Sequence, residues 1–403
     1  MVQKFRCRSS LMPCASGVNS PARLFVCLLV LLFATQTEIA ARVDPAAQVP
    51  PKEVCNRVQI FYYDWYGAPP LQSSFVHWQQ GGHTPPQDIG SNFYPLLGPY
   101  SSTDPNVLKQ HMAWIRQAHI GVLTLTWWGK NSYEDRDTKA VLDAAAEAGL
   151  KVDFHIEPYR GRTPKTVAND IAYILRTYGH HPAFYRAKFL GGKPMFYIFE
   201  ALRNSAREWR PITDRLHAGS DPVILIAQTS NVEFVRDGGF DGGYTYDGLA
   251  PFKIPGFLRR WKDIARNFAA AGKLFIPSVG PGYWDDRAVP VHGAEEPEAA
   301  RTRDNGFATT YDDAWKAAIQ AGPPVITVTS FNEWHEGSQI EPAVEHRADG
   351  YRYPPYRGGS LEYLTRTAVH VHQYEGKLKS ASRSKSRLHT DGSLVEGFTK
   401  AGG

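Results

Sequence analysis

Eight short runs of β-branched and aromatic residues recur along this chain, and stretches of helical character separate them. The runs fall at 58–66, 121–128, 150–159, 194–200, 222–228, 239–246, 273–279 and 324–330. Helix signals lie between them. Asp104-Pro105 offers an N-cap and a first-turn proline to 106–118, and Ala148-Gly149 closes 138–148. The stretches 163–178, 256–271 and 310–321 read the same way. This alternation predicts parallel strands joined by right-handed crossovers. Eight such units favour an α/β fold closed into a (β/α)8 TIM barrel, with a doubly wound open sheet as the alternative.

A length of 403 residues, 42% hydrophobic and 12% aromatic, is enough to bury one large core. A single domain is therefore expected over 54–376. Residues 1–41 read as a targeting segment: a stretch free of acidic residues until Glu38 leads into the apolar run 24–34, with Ala40 and Ala41 after it. The run is short for a membrane span, which suits a cleaved signal peptide. The long basic leader equally suits an uncleaved signal anchor with its N-terminus in the cytosol. Either reading delivers the folded part to the secretory lumen, as an anchored, Golgi-type protein or a secreted one. Residues 42–53, rich in proline and alanine, read as a flexible stem. The Lys/Ser/Arg-rich end, 377–403, is expected to be a disordered basic tail, with contact to a membrane surface as the alternative.

The net charge of +5 arises from 45 basic and 40 acidic residues, and much of the excess sits in these ends, which speaks against a nucleic-acid groove. Cys7, Cys14 and Cys27 belong to the leader, so Cys55 stands alone in the folded part and no disulfide is expected within it.

A barrel collects its reacting groups at the C-terminal ends of its strands. Polar and aromatic residues gather at those ends: Tyr63-Asp64-Trp65-Tyr66, Trp127-Trp128, His155-Ile156-Glu157-Pro158-Tyr159, Tyr244-Thr245-Tyr246-Asp247 and Phe331-Asn332-Glu333-Trp334-His335-Glu336. Glu333 and Glu336, three residues apart, share a face if their segment makes a helical turn. Two such carboxyls are the minimal equipment for breaking a glycosidic bond. Asn332 and His335 could hydrogen-bond a carboxylate or a sugar hydroxyl, and Trp334 could pack the rim or raise one glutamate's pKa. The plainer alternative is a solvated loop with two surface acids. Trp65, Trp128, Tyr63, Tyr244 and Tyr246 are candidates to pack against flat sugar faces. Glu157 reads as a sugar contact or as half of a structural ion pair, and the flanking His155 and Tyr159 are further candidate sugar contacts.

His155-x-Glu157 and His335-Glu336 raise the question of a metal, but no His-Glu-x-x-His helix, cysteine cluster or aspartate-rich loop accompanies them. No metal and no other cofactor is expected. Gly280-Pro281-Gly282-Tyr283 lacks the Gly-Lys-Ser/Thr ending of a phosphate loop, and no Gly-x-Ser-x-Gly elbow is present.

On these residues the chain resembles glycoside hydrolase family 99, the endo-α-1,2-mannosidases and endo-α-mannanases. The similar segments include Phe61 to Gly67, Asp88-Ile89-Gly90-Ser91, His155 to Tyr159, His181 to Arg186, Ile276 to Tyr283 and Ser330 to Gly337. The resemblance implies a retaining barrel enzyme that cuts inside a mannose-containing N-glycan and releases a disaccharide. It implies that Glu333 deprotonates the sugar's own 2-hydroxyl, forming a 1,2-anhydro sugar, while Glu336 protonates the leaving oxygen and then activates water. Glu157, Tyr244 and Tyr246 match positions lining the sugar site. Trp128 stands where animal Golgi members carry Tyr and bacterial members Trp, which leaves glucosyl-mannose and mannosyl-mannose both open. The loop 285–304 lacks the aromatic residue of relatives. Two other readings remain: a carbohydrate-binding barrel without turnover, and an endo-hydrolase of another α-linked polysaccharide such as mannan.

Overall fold

The computed structural model describes residues 53–246, 257–291, 309–348 and 350–395, without the side chains of Thr309 and of residues beyond 381. The targeting segment, nearly all of the stem, the end of the tail, Asp247 and most of the loop 285–304 lie outside the described residues. No described helix is long and apolar enough to cross a membrane.

Nine parallel strands form the main sheet: β1 (Cys55–Tyr62), β2 (Ile120–Trp127), β3 (Lys151–Ile156), β4 (Lys193–Ile198), β5 (Ile224–Gln228), β6 (Gly242–Tyr244), β7 (Leu274–Ile276), β8 (Ser278–Val279) and β9 (Ile326–Val328). Their spatial order runs β8-β9-β1-β2-β3-β4-β5-β6-β7, so the path begins and ends on two pieces separated only by Pro277. Proline has no N–H to give a ladder, and the strand breaks there. On one side Thr245 N–H donates to the Ile276 carbonyl at 3.2 Å, and on the other Thr327 N–H donates to the Pro277 carbonyl at 3.1 Å. The broken strand thus joins β6 to β9, and the sheet closes into a (β/α)8 barrel as expected, with β7 and β8 as one stave.

The helices are α1 (Pro105–Gln117), α2 (Tyr133–Glu147), α3 (Pro164–Tyr178), α4 (Ala206–His217), α5 (Val232–Asp237), α6 (Phe257–Ala270), α7 (Thr309–Ala321) and α8 (Glu362–Val395). The Asp104 cap and first-turn proline of α1 are as expected. α2 starts five residues earlier than the sequence suggested, because Ser132 caps it, accepting the Asp135 N–H at 3.1 Å. α4 was not anticipated; it is opened by a reciprocal Ser205/Glu208 capping box. α8 continues through Lys377 to Val395, across much of the stretch expected to be a disordered tail.

Strand alternation sorts the side chains. Tyr62 and Trp127 point outward, where Tyr62 Oη lies 2.9 Å from His111 Nδ1 of α1 and Trp127 Nε1 donates to Asp135 of α2 at 3.1 Å. Gln59, Phe61 and Tyr63 face the barrel axis. Gln59 meets the Tyr197 hydroxyl there, and the Phe61 ring centroid lies 4.7 Å from His155 and 5.0 Å from Tyr246. Thr124, Asp153 and Thr327 are also buried, so the interior is lined by polar groups and rings.

Candidate active site

The segment after β9 folds back on itself. Ser330 and Ser338 hydrogen-bond through backbone at 2.9 Å, Ile340 N–H donates to the Ser330 carbonyl at 2.9 Å, and Phe331 N–H ties the loop to the Phe61 carbonyl of β1 at 2.9 Å. Inside this loop the Ser330 hydroxyl accepts the Glu333 N–H at 2.8 Å, and Glu333 Oε1 accepts the N–H groups of His335 at 2.9 Å and Glu336 at 3.3 Å. Glu333 therefore caps the turn that carries Glu336, which brings the two carboxyls to one side. Gly337 completes the turn with φ +62°, and a Cβ there would come within 2.5 Å of the Trp284 carbonyl. Trp284 N–H in turn holds the Glu336 carbonyl at 2.7 Å.

The two acids sit in different surroundings. Glu333 is 3% exposed, and Glu336 reaches partway into solvent. Burial pushes the Glu333 carboxyl well above the ordinary range, the charge of Glu336 pushes it further, and the two backbone N–H donors oppose both. The Tyr246 hydroxyl donates to Glu336 Oε2 at 3.1 Å and also contacts the Tyr63 hydroxyl. Burial holds both phenols well above their usual pKa, so they remain neutral donors.

Behind this pair lies a third carboxyl group, that of Glu157. His155 Nδ1 is 2.7 Å from Glu157 Oε1, and His155 Nε2 is 2.5 Å from the Tyr244 hydroxyl. All three side chains are almost fully buried. Arg162, not singled out in the sequence, donates to the carbonyls of Ile156 at 3.0 Å and Glu200 at 3.1 Å and interacts favourably with the charge of Glu157.

Trp65 and Trp128 retain partial exposure and stand with ring centroids 6.1 Å apart. Trp65 stacks on His77 at 4.7 Å and lies 6.0 Å from His335. His77 was missed: it precedes no strand or helix, and its φ of +66° leaves no mark in sequence. Burial lowers the pKa of His77 to about 4 and that of His335 to about 3, so both rings are neutral near pH 7. His335 Nε2 lies 2.9 Å from the His77 carbonyl and must carry the proton, which leaves Nδ1 as an acceptor 3.7 Å from Glu333 Oε1.

Asn332 and Tyr159 both have protein partners in the structure. Asn332 is fully buried, and its amide is taken up by the backbone of Tyr63 and the hydroxyl of Tyr100, so it braces the rim. The Tyr159 hydroxyl donates to Asp170 of α3. Trp334 is buried as well, its Nε1 donating to Glu341 Oε2 at 2.9 Å. Glu341 also accepts from Tyr100 at 2.7 Å and lies 3.1 Å from His111 Nε2, both partners being distant in sequence. Among the described residues no group of three or more His, Cys, Asp or Glu is arranged to hold a metal ion.

A (β/α)8 barrel whose last strand delivers two neighbouring glutamates beside aromatic rings has the layout of a glycoside hydrolase, and the comparisons with known proteins agree. The chain belongs to glycosyl hydrolase family 99, whose model matches residues 53–376. It is 39% identical to a mouse glycoprotein endo-alpha-1,2-mannosidase-like protein, over 75% of this chain and 73% of that one. It is 36% identical to the Xenopus laevis glycoprotein endo-alpha-1,2-mannosidase, over 74% and 72%. The solved GH99 endo-alpha-mannosidase from Bacteroides thetaiotaomicron superposes with a TM-score of 0.74 at 38% identity, covering 81% of this chain and 99% of that one.

Proposed function

We propose that this glycoside hydrolase is a retaining endo-α-mannosidase that cuts internal α-1,2-mannosidic linkages of glucosylated or mannose-rich N-glycans and releases a disaccharide. The names carried by its relatives support the linkage and the endo mode. The observation that carries the chemistry is the single turn that brings Glu333 and Glu336 to one side, where the charge of Glu336 opposes ionisation of Glu333.

Burial favours the proton on Glu333 in the free site, so the cycle starts once substrate binding shifts it to Glu336, which passes it to the leaving oxygen. Ionised Glu333 takes the proton of the sugar's 2-hydroxyl. Its burial makes it a stronger base than an exposed glutamate, and the N–H groups of His335 and Glu336 steady its charge. The freed 2-oxygen closes on C1 as the leaving oxygen departs, giving a 1,2-anhydro sugar. Glu336, now ionised, takes a proton from the water that opens the ring, and Glu333 returns its proton to the 2-oxygen. Two displacements at C1 retain the configuration. Trp65, Trp128, Tyr63, Tyr246, His335 and the Glu157/His155/Tyr244 group form the sugar subsites. The leader pattern supports a setting in the secretory lumen, Golgi-anchored or secreted.

Incubation with a glucosylated high-mannose glycan tests the reading: a released disaccharide with the α configuration is expected. Free glucose or mannose, or no cleavage at all, overturns it.

A further inference from the structure

The end of the barrel opposite the glutamates carries a pocket of about 400 Å³ that glycan cleavage does not use. Its lining includes Arg57, Lys151, Arg186, Lys188, Phe184 and Phe189. Arg57 is near the start of β1, Lys151 opens β3, and residues 184–189 precede β4, so all lie at the N-terminal ends of the staves. The pocket is rich in one sign of charge. Arg186 is matched by Asp221 through two bonds of 2.9 and 2.8 Å. Among the described residues no ion pair engages the other three cations. Arg57 donates to the Pro324 carbonyl at 3.0 Å, Lys151 to the Pro182 carbonyl at 2.6 Å, and Lys188 is exposed.

Arg57 is also held in place from two sides. Its guanidinium carbon stands 3.4 Å from the centroid of the Phe189 ring, and the one described bond to Pro324 leaves further N–H groups for a ligand. A planar fork fixed in this way loses little freedom when it engages an oxyanion. Two lysines beside it add point charges that raise the local positive potential of a concave surface.

We propose that this pocket binds a small oxyanion of the phosphate or sulfate class, as a free ion or as the ester headgroup of a larger molecule, with Arg57 as the fork and Lys151 and Lys188 as its counter-charges. The site is remote from Glu333 and Glu336 and stands whether or not the glycan reading does.

Thermal melting of the full chain in sodium phosphate or sulfate, against chloride at matched ionic strength, is the first arm. A saturable, oxyanion-specific rise in Tm is expected, with apparent Kd raised tenfold or more in Arg57→Gln and in Lys188→Gln. Lys188 is exposed, so its variant stays folded even if Arg57→Gln does not. Glycan cleavage is unchanged in Lys188→Gln. Co-sedimentation with phosphatidylglycerol vesicles, against phosphatidylcholine vesicles, is the second arm. Vesicle binding that Lys188→Gln abolishes, without a response to free ions, assigns the headgroup as the source. A response to free ions alone assigns the free anion. No response in either arm, or the same response in wild type and Lys188→Gln, overturns the site.

Discussion

The side-chain amide of Asn332 grips the backbone of Tyr63 at both of its polar groups, accepting its N–H at 2.8 Å and donating to its carbonyl at 2.7 Å. In effect a side chain at the end of the last stave extends the β-ladder to the end of the first, one residue from Glu333. Asn332→Ala strands two buried backbone groups, and a loss on the order of 3 kcal/mol of unfolding free energy is expected in urea melts. Asn332→Asp, which aims a charge at the Tyr63 carbonyl, is expected to lose more.

The acid and base roles separate by leaving group. Glu333→Gln and Glu336→Gln are each expected to cut kcat on the natural linkage by several orders of magnitude while sugar binding stays measurable. A substrate whose leaving group departs without a proton, such as a glycosyl fluoride, restores the first step in Glu336→Gln and not in Glu333→Gln. Equal rescue of both, read by fluoride release, refutes the assignment.

Beneath the loop, Glu341 and His111 are both fully buried and 3.1 Å apart. Removing one partner leaves the other without its counterpart, and Glu341→Gln is expected to destabilise the fold by about 3 kcal/mol. Because the two share one network, a double-mutant cycle with His111→Gln should show a coupling of about 1 kcal/mol or more. Strict additivity in chemical denaturation contradicts a working pair.

His77 predicts an acid sensitivity. Its pKa falls from an ordinary 6.5 to about 4 on folding, so between those values the unfolded chain binds more protons than the folded one. Its contribution is fully present above pH 6.5 and fades as pH drops toward 4, by on the order of 3 kcal/mol at most. Tm measured across that window should fall less steeply in His77→Gln than in wild type. Parallel curves count against the burial of this ring.

Much of the barrel was readable because its signals are local. Eight apolar runs, the Asp104-Pro105 cap and the Ala148-Gly149 stop each depend on a few adjacent residues, and every expected stave is present in order. The Glu333/Glu336 turn was readable for the same reason. The bracing contacts of Asn332, and Glu341, His111 and His77 altogether, were overlooked because they depend on partners far away in sequence, such as Tyr63 for Asn332 and His111 for Glu341. Arg162 lies near Glu157 in sequence, yet its bonds go to backbone carbonyls, which no residue type announces.

The inner face of the tube has a bearing on how such barrels can be recombined. Gln59 on the first stave meets the phenol of Tyr197 on the fourth, and the Phe61 ring rests on His155 of the third. Grease would tolerate a foreign neighbour, but directional groups demand their own counterparts. A hybrid that imports one stave from a relative therefore has to import its cross-axis mate too, and the natural unit of exchange in this molecule is a matched set of staves spanning the lumen.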